Sequence, residues 1–138
     1  MPAGKSMSTE SVGDILDRMA SPVSLPKDTV VFCQGDAPVG VYVVRKGAVR
    51  MTVKAGEPDL LLSIAQPGAI IGLPAVLGNQ PYSLTATTMD VTELGFVRAP
   101  QLVEAIRSDT TLGLQILRLL SEDVREARHA IGNRGQVQ

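Results

Sequence analysis

Phe32-Cys33-Gln34-Gly35-Asp36-Ala37-Pro38-Val39-Gly40-Val41-Tyr42-Val43-Val44-Arg45-Lys46-Gly47-Ala48-Val49-Arg50 is the stretch that decides the fold. A β-prone run from Val30 to Cys33 stops at Gly35-Asp36, and a second, from Val39 to Val44, stops at Lys46-Gly47. Val49, Met51 and Val53 then alternate with Arg50, Thr52 and Lys54, the period of a strand with one wet face. Downstream, Gly56-Glu57-Pro58-Asp59 turns the chain into Leu60 to Ala65, and Pro67-Gly68 turns it again. Ser83 to Met89 and Val91 to Val97 are two more β-prone runs, with Asp90 between them. Six or more short strands with turn signals at this spacing predict a sandwich or rolled barrel. Gly35, Gly47 and Gly68 fall where strands reverse, and glycine carries no penalty for positive φ there. Upstream, Ser11 can cap a short helix to Met19, with Ile15, Leu16 and Met19 as its apolar face and a turn at Leu25-Pro26-Lys27-Asp28 closing the region.

After Val97 the period becomes helical. Pro100 suits a first turn, with Leu102, Val103 and Ile106 on one side, and Ser108-Asp109 offers the cap of a longer helix reaching about Ala130 or Ile131 before Gly132-Asn133. Two apolar stripes run along that helix. Leu112, Ile116 and Leu119 form one; Gly113, Leu117, Leu120, Val124, Ala127 and Ile131 form the other, at heptad spacing. The shorter stripe can lie on the chain's own strands. The longer is then free for the same helix of a second copy, making Leu117, Leu120, Val124, Ala127 and Ile131 a homodimer interface; in the other reading both stripes pack within one monomer.

The 138 residues suffice for one domain, with roughly two-thirds of the extended-chain surface buried on folding. Residues 1–10, rich in Ser, Gly and Thr, read as a disordered lead-in. Residues 11–138 read as a single domain, with strands over about 22–98 and helices over about 100–131. Lys plus Arg is 13 and Asp plus Glu is 14, a net charge of −1 that excludes a module held to nucleic acid or an anionic membrane by charge alone. Aromatic residues make up 3%, with no Trp, so stacking platforms for bases or sugars are scarce. The one cysteine, Cys33, excludes an intrachain disulfide and a four-thiolate metal or iron–sulfur site. Met1-Pro2-Ala3-Gly4-Lys5 has no apolar run behind its charge and does not read as a signal peptide, and no stretch approaches a membrane span, so the expected location is the cytoplasm.

The quoted stretch resembles the two opening strands of the cyclic nucleotide-binding domain of the Crp/Fnr regulators, with that family's glycines at 35 and 47. Pro67-Gly68-Ala69-Ile70-Ile71-Gly72 resembles the entry to its phosphate-binding cassette, and Ser83 through Thr92-Glu93-Leu94 resembles the strands that follow it. The likeness covers about residues 15–131. It implies a mainly β fold with flanking helices: an eight-stranded jelly-roll barrel followed by a long C-terminal dimerisation helix.

In family members that bind cAMP or cGMP, a Glu follows the cassette glycine and accepts the ribose hydroxyl, and an Arg near the end neutralises the phosphate beside a Ser or Thr. Here the ligand segment comprises Gly72, Leu73, Pro74 and Ala75 and, at its far end, Tyr82, Ser83 and Leu84. Leu73 stands at the Glu position and Tyr82 at the Arg position, and only Ser83 matches. Pro74 removes one N–H from the helix start. No Lys or Arg lies between Lys54 and Arg98. Each lost charge-assisted hydrogen bond is worth about 1.5–3 kcal/mol of a micromolar ligand's roughly 8 kcal/mol. Cyclic nucleotide binding in the family's usual manner is therefore not expected. Leu73, Val76, Leu77, Tyr82 and Leu84 would line an apolar pocket with a phenol and a hydroxyl at its rim. Such a pocket suits a less charged small effector, as in relatives that sense haem, organic acids or aromatic compounds; in the other reading, the larger side chains simply fill the space.

The remaining signals are weak. His129, beside Arg125 and Arg128, lacks companion ligands and reads as a solvated helix-end residue; no metal site and no cofactor is expected. Cys33, in a β-prone run, reads as a small buried hydrophobe. Cupin enzymes share the jelly-roll class, but their metal site needs strand histidines, which are absent here. The scattered Asp36, Glu57, Asp59 and Glu93 pair with no nucleophile, so no enzyme is expected. After the long helix only Gly132 to Gln138 remains, too little for the family's helix-turn-helix domain, so DNA binding by this chain alone is not expected. The sequence thus points to a sensory or regulatory domain. The same features also fit the effector domain of a Crp/Fnr-type transcription regulator or a ligand-free dimerisation module.

Overall fold

The computed structural model describes residues 11–121. Ser11 caps the first helix, α1 (Val12–Met19): its hydroxyl accepts the Asp14 N–H at 3.0 Å. Leu16 is fully buried, as the spacing predicts, and Val12 and Gly13 join it on the buried face.

Eight strands follow: β1 (Ser21–Leu25), β2 (Val30–Phe32), β3 (Gly40–Lys46), β4 (Val49–Val53), β5 (Leu60–Ala65), β6 (Ile70–Ile71), β7 (Thr85–Thr88) and β8 (Thr92–Arg98). They form two four-stranded sheets of order β1-β8-β3-β6 and β2-β7-β4-β5, and every pairing is antiparallel. The expected closed barrel is corrected to two open sheets. β1, β6, β2 and β5 each have one strand partner, and β6, with two residues, is too short to carry a seam between sheets.

Two strands escaped the sequence reading. β1 contains Pro22 and two serines, which argue against a strand except at a sheet edge, where β1 lies with Pro22 opposite Gly95. β6 is held by Tyr42 and Val43 of β3 rather than by any periodicity of its own. Cys33 is also corrected. β2 ends at Phe32, and Cys33 is exposed in the following turn, where its N–H donates to the Asp36 carboxylate at 3.1 Å.

The core contains Phe32, Val44, Val49, Met51, Tyr82, Ala86 and Leu94, contributed by both sheets. Val41 and Val43 alternate with these positions on β3 and are buried on the opposite face. α1 lies against β3 and β8 there. A Cβ at Gly95 would sit 2.8 Å from the Ala20 Cβ and 2.9 Å from an Asp17 carboxylate oxygen, so glycine is what lets the end of α1 approach β8. Asp17 in turn accepts the Arg45 Nε–H at 2.6 Å. Gly35, Gly47 and Gly68 have φ of 95°, 90° and 97°, as the turn positions required.

Near the β7–β8 turn the strands are pinned by hydroxyls. Thr88 donates to the Pro26 carbonyl at 2.6 Å and accepts the Thr29 N–H at 2.8 Å, and Thr92 donates to the Asp90 carbonyl at 2.8 Å. β8 runs into α3 (Ala99–Ser108), preceded in the chain by α2 (Leu73–Gly78). Leu102 is fully buried, whereas Val103, expected beside it, is 39% exposed.

The chain divides into two compact units, one ending at Val103 and the other beginning at Glu104. In the second, the Ser108 hydroxyl donates to the Glu104 carbonyl and the Asp109 carboxylate accepts the Leu112 N–H at 3.1 Å, capping a helix, α4, described over 110–121. In the shorter stripe Leu112 and Ile116 are buried and Leu119 is half-buried; in the longer, Gly113 and Leu120 are half-buried and Leu117 is 61% exposed, while Leu114, in neither stripe, is 51% exposed. Val124, Ala127, Ile131, His129 and the predicted helix end lie outside the described residues, as does the lead-in 1–10. Among the described residues no helix is long and apolar enough to cross a membrane.

Candidate functional site

The segment 72–84 turns on Gly72, which caps α2 in the left-handed region at φ 90°. A Cβ there would lie 3.1 Å from the Tyr82 ring and 3.3 Å from the Gly40 carbonyl oxygen, so the backbone itself seats against the ring. Leu73, Ala75 and Val76 are buried, Leu77 is half-buried and Pro74 faces out. Proline is tolerated in the first turn because its missing N–H would have no partner within the helix. Asn79 ends α2 at φ 50°, a conformation asparagine tolerates, and its N–H returns to the carbonyls of Ala75 and Val76.

Tyr82 is the centre of the site. The phenol expected at a pocket rim is instead buried, with the residue 3% exposed. Its hydroxyl accepts the N–H of Val39 and of Gly40, each at 3.2 Å, and donates to the Gly40 carbonyl at 2.7 Å. One donor and two acceptor positions are all a phenol offers, so none remains for another molecule. The Tyr82 backbone closes the same loop: its N–H donates to the Asp36 carbonyl at 3.0 Å, and its carbonyl accepts the Gly35 N–H at 2.8 Å. Its ring stacks on Phe32 with centroids 3.8 Å apart and planes 13° apart.

Phe32 also meets Tyr42 at 6.0 Å, and Tyr42 meets Phe96 at 4.8 Å. The chain has two Tyr, two Phe and no Trp, so its phenyl and phenol rings form one contiguous group. Burial, and secondarily the neighbouring Tyr82, raises the Tyr42 pKa above its ordinary value of 10.0. Sequence reasoning did not single out Phe32, Tyr42, Phe96 or Gly40; the signal was there in the scarcity of aromatics and in one glycine heading a β run.

Of the other predicted site residues, Ser83 is exposed and Leu84 half-buried against the core. From Leu60 to Met89 the chain carries no charged residue, so the segment has neither a cation for a phosphate nor a carboxylate for a sugar. The described ion pairs, Arg45–Asp17, Lys46–Glu93 and Arg50–Asp28, all involve residues outside it. Among the described residues no group of three His, Cys, Asp or Glu side chains could hold a metal. In the predicted dimer seam, Leu117 is exposed and Leu120 half-buried.

Residues 22–109 match a family described as the cyclic nucleotide-binding domain. Among curated proteins the chain is similar to potassium channel KAT2 of Arabidopsis thaliana, 29% identical over 72% of this chain and 14% of that protein. It is also similar to the transcriptional activator protein FnrA of Stutzerimonas stutzeri, 27% identical over 74% of this chain and 42% of that protein. The catabolite activator protein of Thermus thermophilus superposes with a TM-score of 0.78 at 24% identity, covering 87% of this chain and 57% of that one. The chain thus spans a minor part of the two curated relatives.

Proposed function

The chain belongs to the cyclic nucleotide-binding domain family, and from that premise we propose that it is a non-catalytic regulatory domain that does not take cAMP or cGMP through the family's usual contacts. The observation that carries this reading is Tyr82. It stands where nucleotide-binding relatives place the phosphate-neutralising arginine, its ring is stacked on Phe32, and its hydroxyl is fully used by the Val39–Gly40 backbone. Leu73, at the ribose-binding position, supports the same reading: it is 3% exposed and has no group to accept a hydroxyl. A cyclic phosphate entering here would give up its hydration without a charged partner, and an effector suited to the segment is uncharged at that end. Regulation in this reading runs through a homodimer seam of Leu117, Leu120, Val124, Ala127 and Ile131, of which Leu117 offers the exposed apolar surface such a seam needs.

Titration calorimetry with cAMP and with cGMP tests the first claim. The expected result is no saturable heat, or a Kd near millimolar, about 4 kcal/mol short of micromolar binding. A Kd below about 10 μM that Ser83→Ala abolishes would overturn it.

A further inference from the structure

We propose that Tyr82 is a positioning residue for the start of α3, acting through the peptide that joins Val39 to Gly40. Tyr82 Oη holds this peptide from one side by accepting its Gly40 N–H, and holds the two flanking peptides by accepting the Val39 N–H and donating to the Gly40 carbonyl. From the other side, the Val39 carbonyl accepts the N–H of Ala99, the first residue of α3, at 3.0 Å. Gly40 is also the end of the β3–β8 ladder, opposite Arg98, which immediately precedes Ala99. The end of the 72–84 segment and the beginning of α3 are therefore fastened to the same two residues, with one peptide between them.

Gly40 cannot yield sideways. A Cβ there would overlap the Val97 carbonyl oxygen and lie 2.6 Å from the Phe96 ring, so the peptide is wedged between β8 and the Tyr82 hydroxyl. A close-packed backbone of this kind has few intermediate positions, so losing one set of bonds is felt by the other. An occupant that turns Tyr82 out of its niche on Phe32 withdraws three hydrogen bonds from Val39–Gly40 and loosens the carbonyl on which Ala99 depends. This inference rests on the reading that the Tyr82 side chain fills the segment, and it assigns that side chain a second task.

Amide hydrogen exchange on the full chain tests it, comparing the natural sequence with Tyr82→Phe, which keeps the ring and removes only the hydroxyl. Exchange at Ala99 should rise at least tenfold while the Thr88 amide, bonded to the Thr29 carbonyl away from this route, stays unchanged. Because coupling is reciprocal, Ala99→Pro, which deletes the N–H at a helix start where proline is accepted, should raise exchange at Gly40. If Tyr82→Phe does not fold, this second variant decides alone. Unchanged Ala99 and Gly40 exchange, or a rise shared equally with Thr88, would overturn the proposal. Failure of the underlying reading has a separate signature: tight cAMP binding in calorimetry, whatever the exchange pattern.

Discussion

The segment 72–84 and strand β5 lie in the same uncharged run, and β5 is the more apolar of the two, yet they end in opposite situations. Leu73, Val76 and Tyr82 are 3%, 7% and 3% exposed; Leu60, Leu61, Leu62 and Ile64 are 42%, 51%, 45% and 42% exposed. Hydrophobicity alone would bury β5 first, and position decides otherwise. β5 is an edge strand with β4 as its one partner, and its ladder slips between Met51 and Thr52, leaving Leu62 opposite no residue while Leu61 and Ser63 pair. The cassette segment turns inward over the core, and its buried polar tip, the Tyr82 hydroxyl, finds three backbone groups there. Burial here follows from having partners for everything that goes in, the hydroxyl included.

The largest expected effect breaks the closed side of that comparison. Gly40→Ala inserts a methyl group where the Val97 carbonyl and the Phe96 ring already stand, and the carbonyl, being backbone of β8, cannot swing aside. Relief requires β3 to part from β8 at Val41–Val97 or the Tyr82 hydroxyl to give up its bonds. A loss of about 3 kcal/mol in unfolding free energy is expected, read from urea denaturation. A loss within about 0.5 kcal/mol would mean that the wedge around Gly40 is loose.

A smaller effect sharpens the same side through pH. The Tyr42 pKa is raised above 10.0 in the folded chain, first by burial and then by its neighbour Tyr82. The unfolded chain therefore ionises Tyr42 at a lower pH than the folded chain does. Stability from this group is fully present below the unfolded value and is lost as pH rises from that value through the raised one. Unfolding midpoints should hold steady through neutral pH and fall above about pH 10, and Tyr42→Phe should flatten the fall. A fall of equal size in Tyr42→Phe would place its cause elsewhere.

Much of this closed side was legible in the sequence, and the reasons are specific. Gly35, Gly47 and Gly68 announce positive φ at strand reversals, Ser11 and Asp109 announce helix starts, and Val49-Arg50-Met51 announces a strand by alternation. These are local signals, each fixed by a residue's own backbone or side-chain chemistry. Tyr82 was legible as a departure from the family pattern but not as a buried residue. Its burial depends on backbone groups of Val39 and Gly40, forty-three and forty-two positions away, which no local pattern displays. The same limit explains β1 and β6, strands defined by their neighbours Gly95, Tyr42 and Val43. It also explains the closed barrel that the resemblance implied: strand count is local information, whereas closure depends on whether edge strands meet.

The smallest expected effect tests the open side. Leu61 pairs with Thr52 across β4–β5 and is half-exposed, so truncating it gives up little burial and leaves no cavity. Leu61→Ala should change the urea unfolding free energy by less than about 1 kcal/mol, against roughly 2–5 kcal/mol for a leucine enclosed on all sides. A cost in the enclosed range would show that β5 is covered in solution, and its exposure would then describe an unpaired face rather than a wet one. A small cost leaves β5 as an edge whose leucines are held by β4 alone, in contrast to the closely fitted residues around Tyr82 and Gly40.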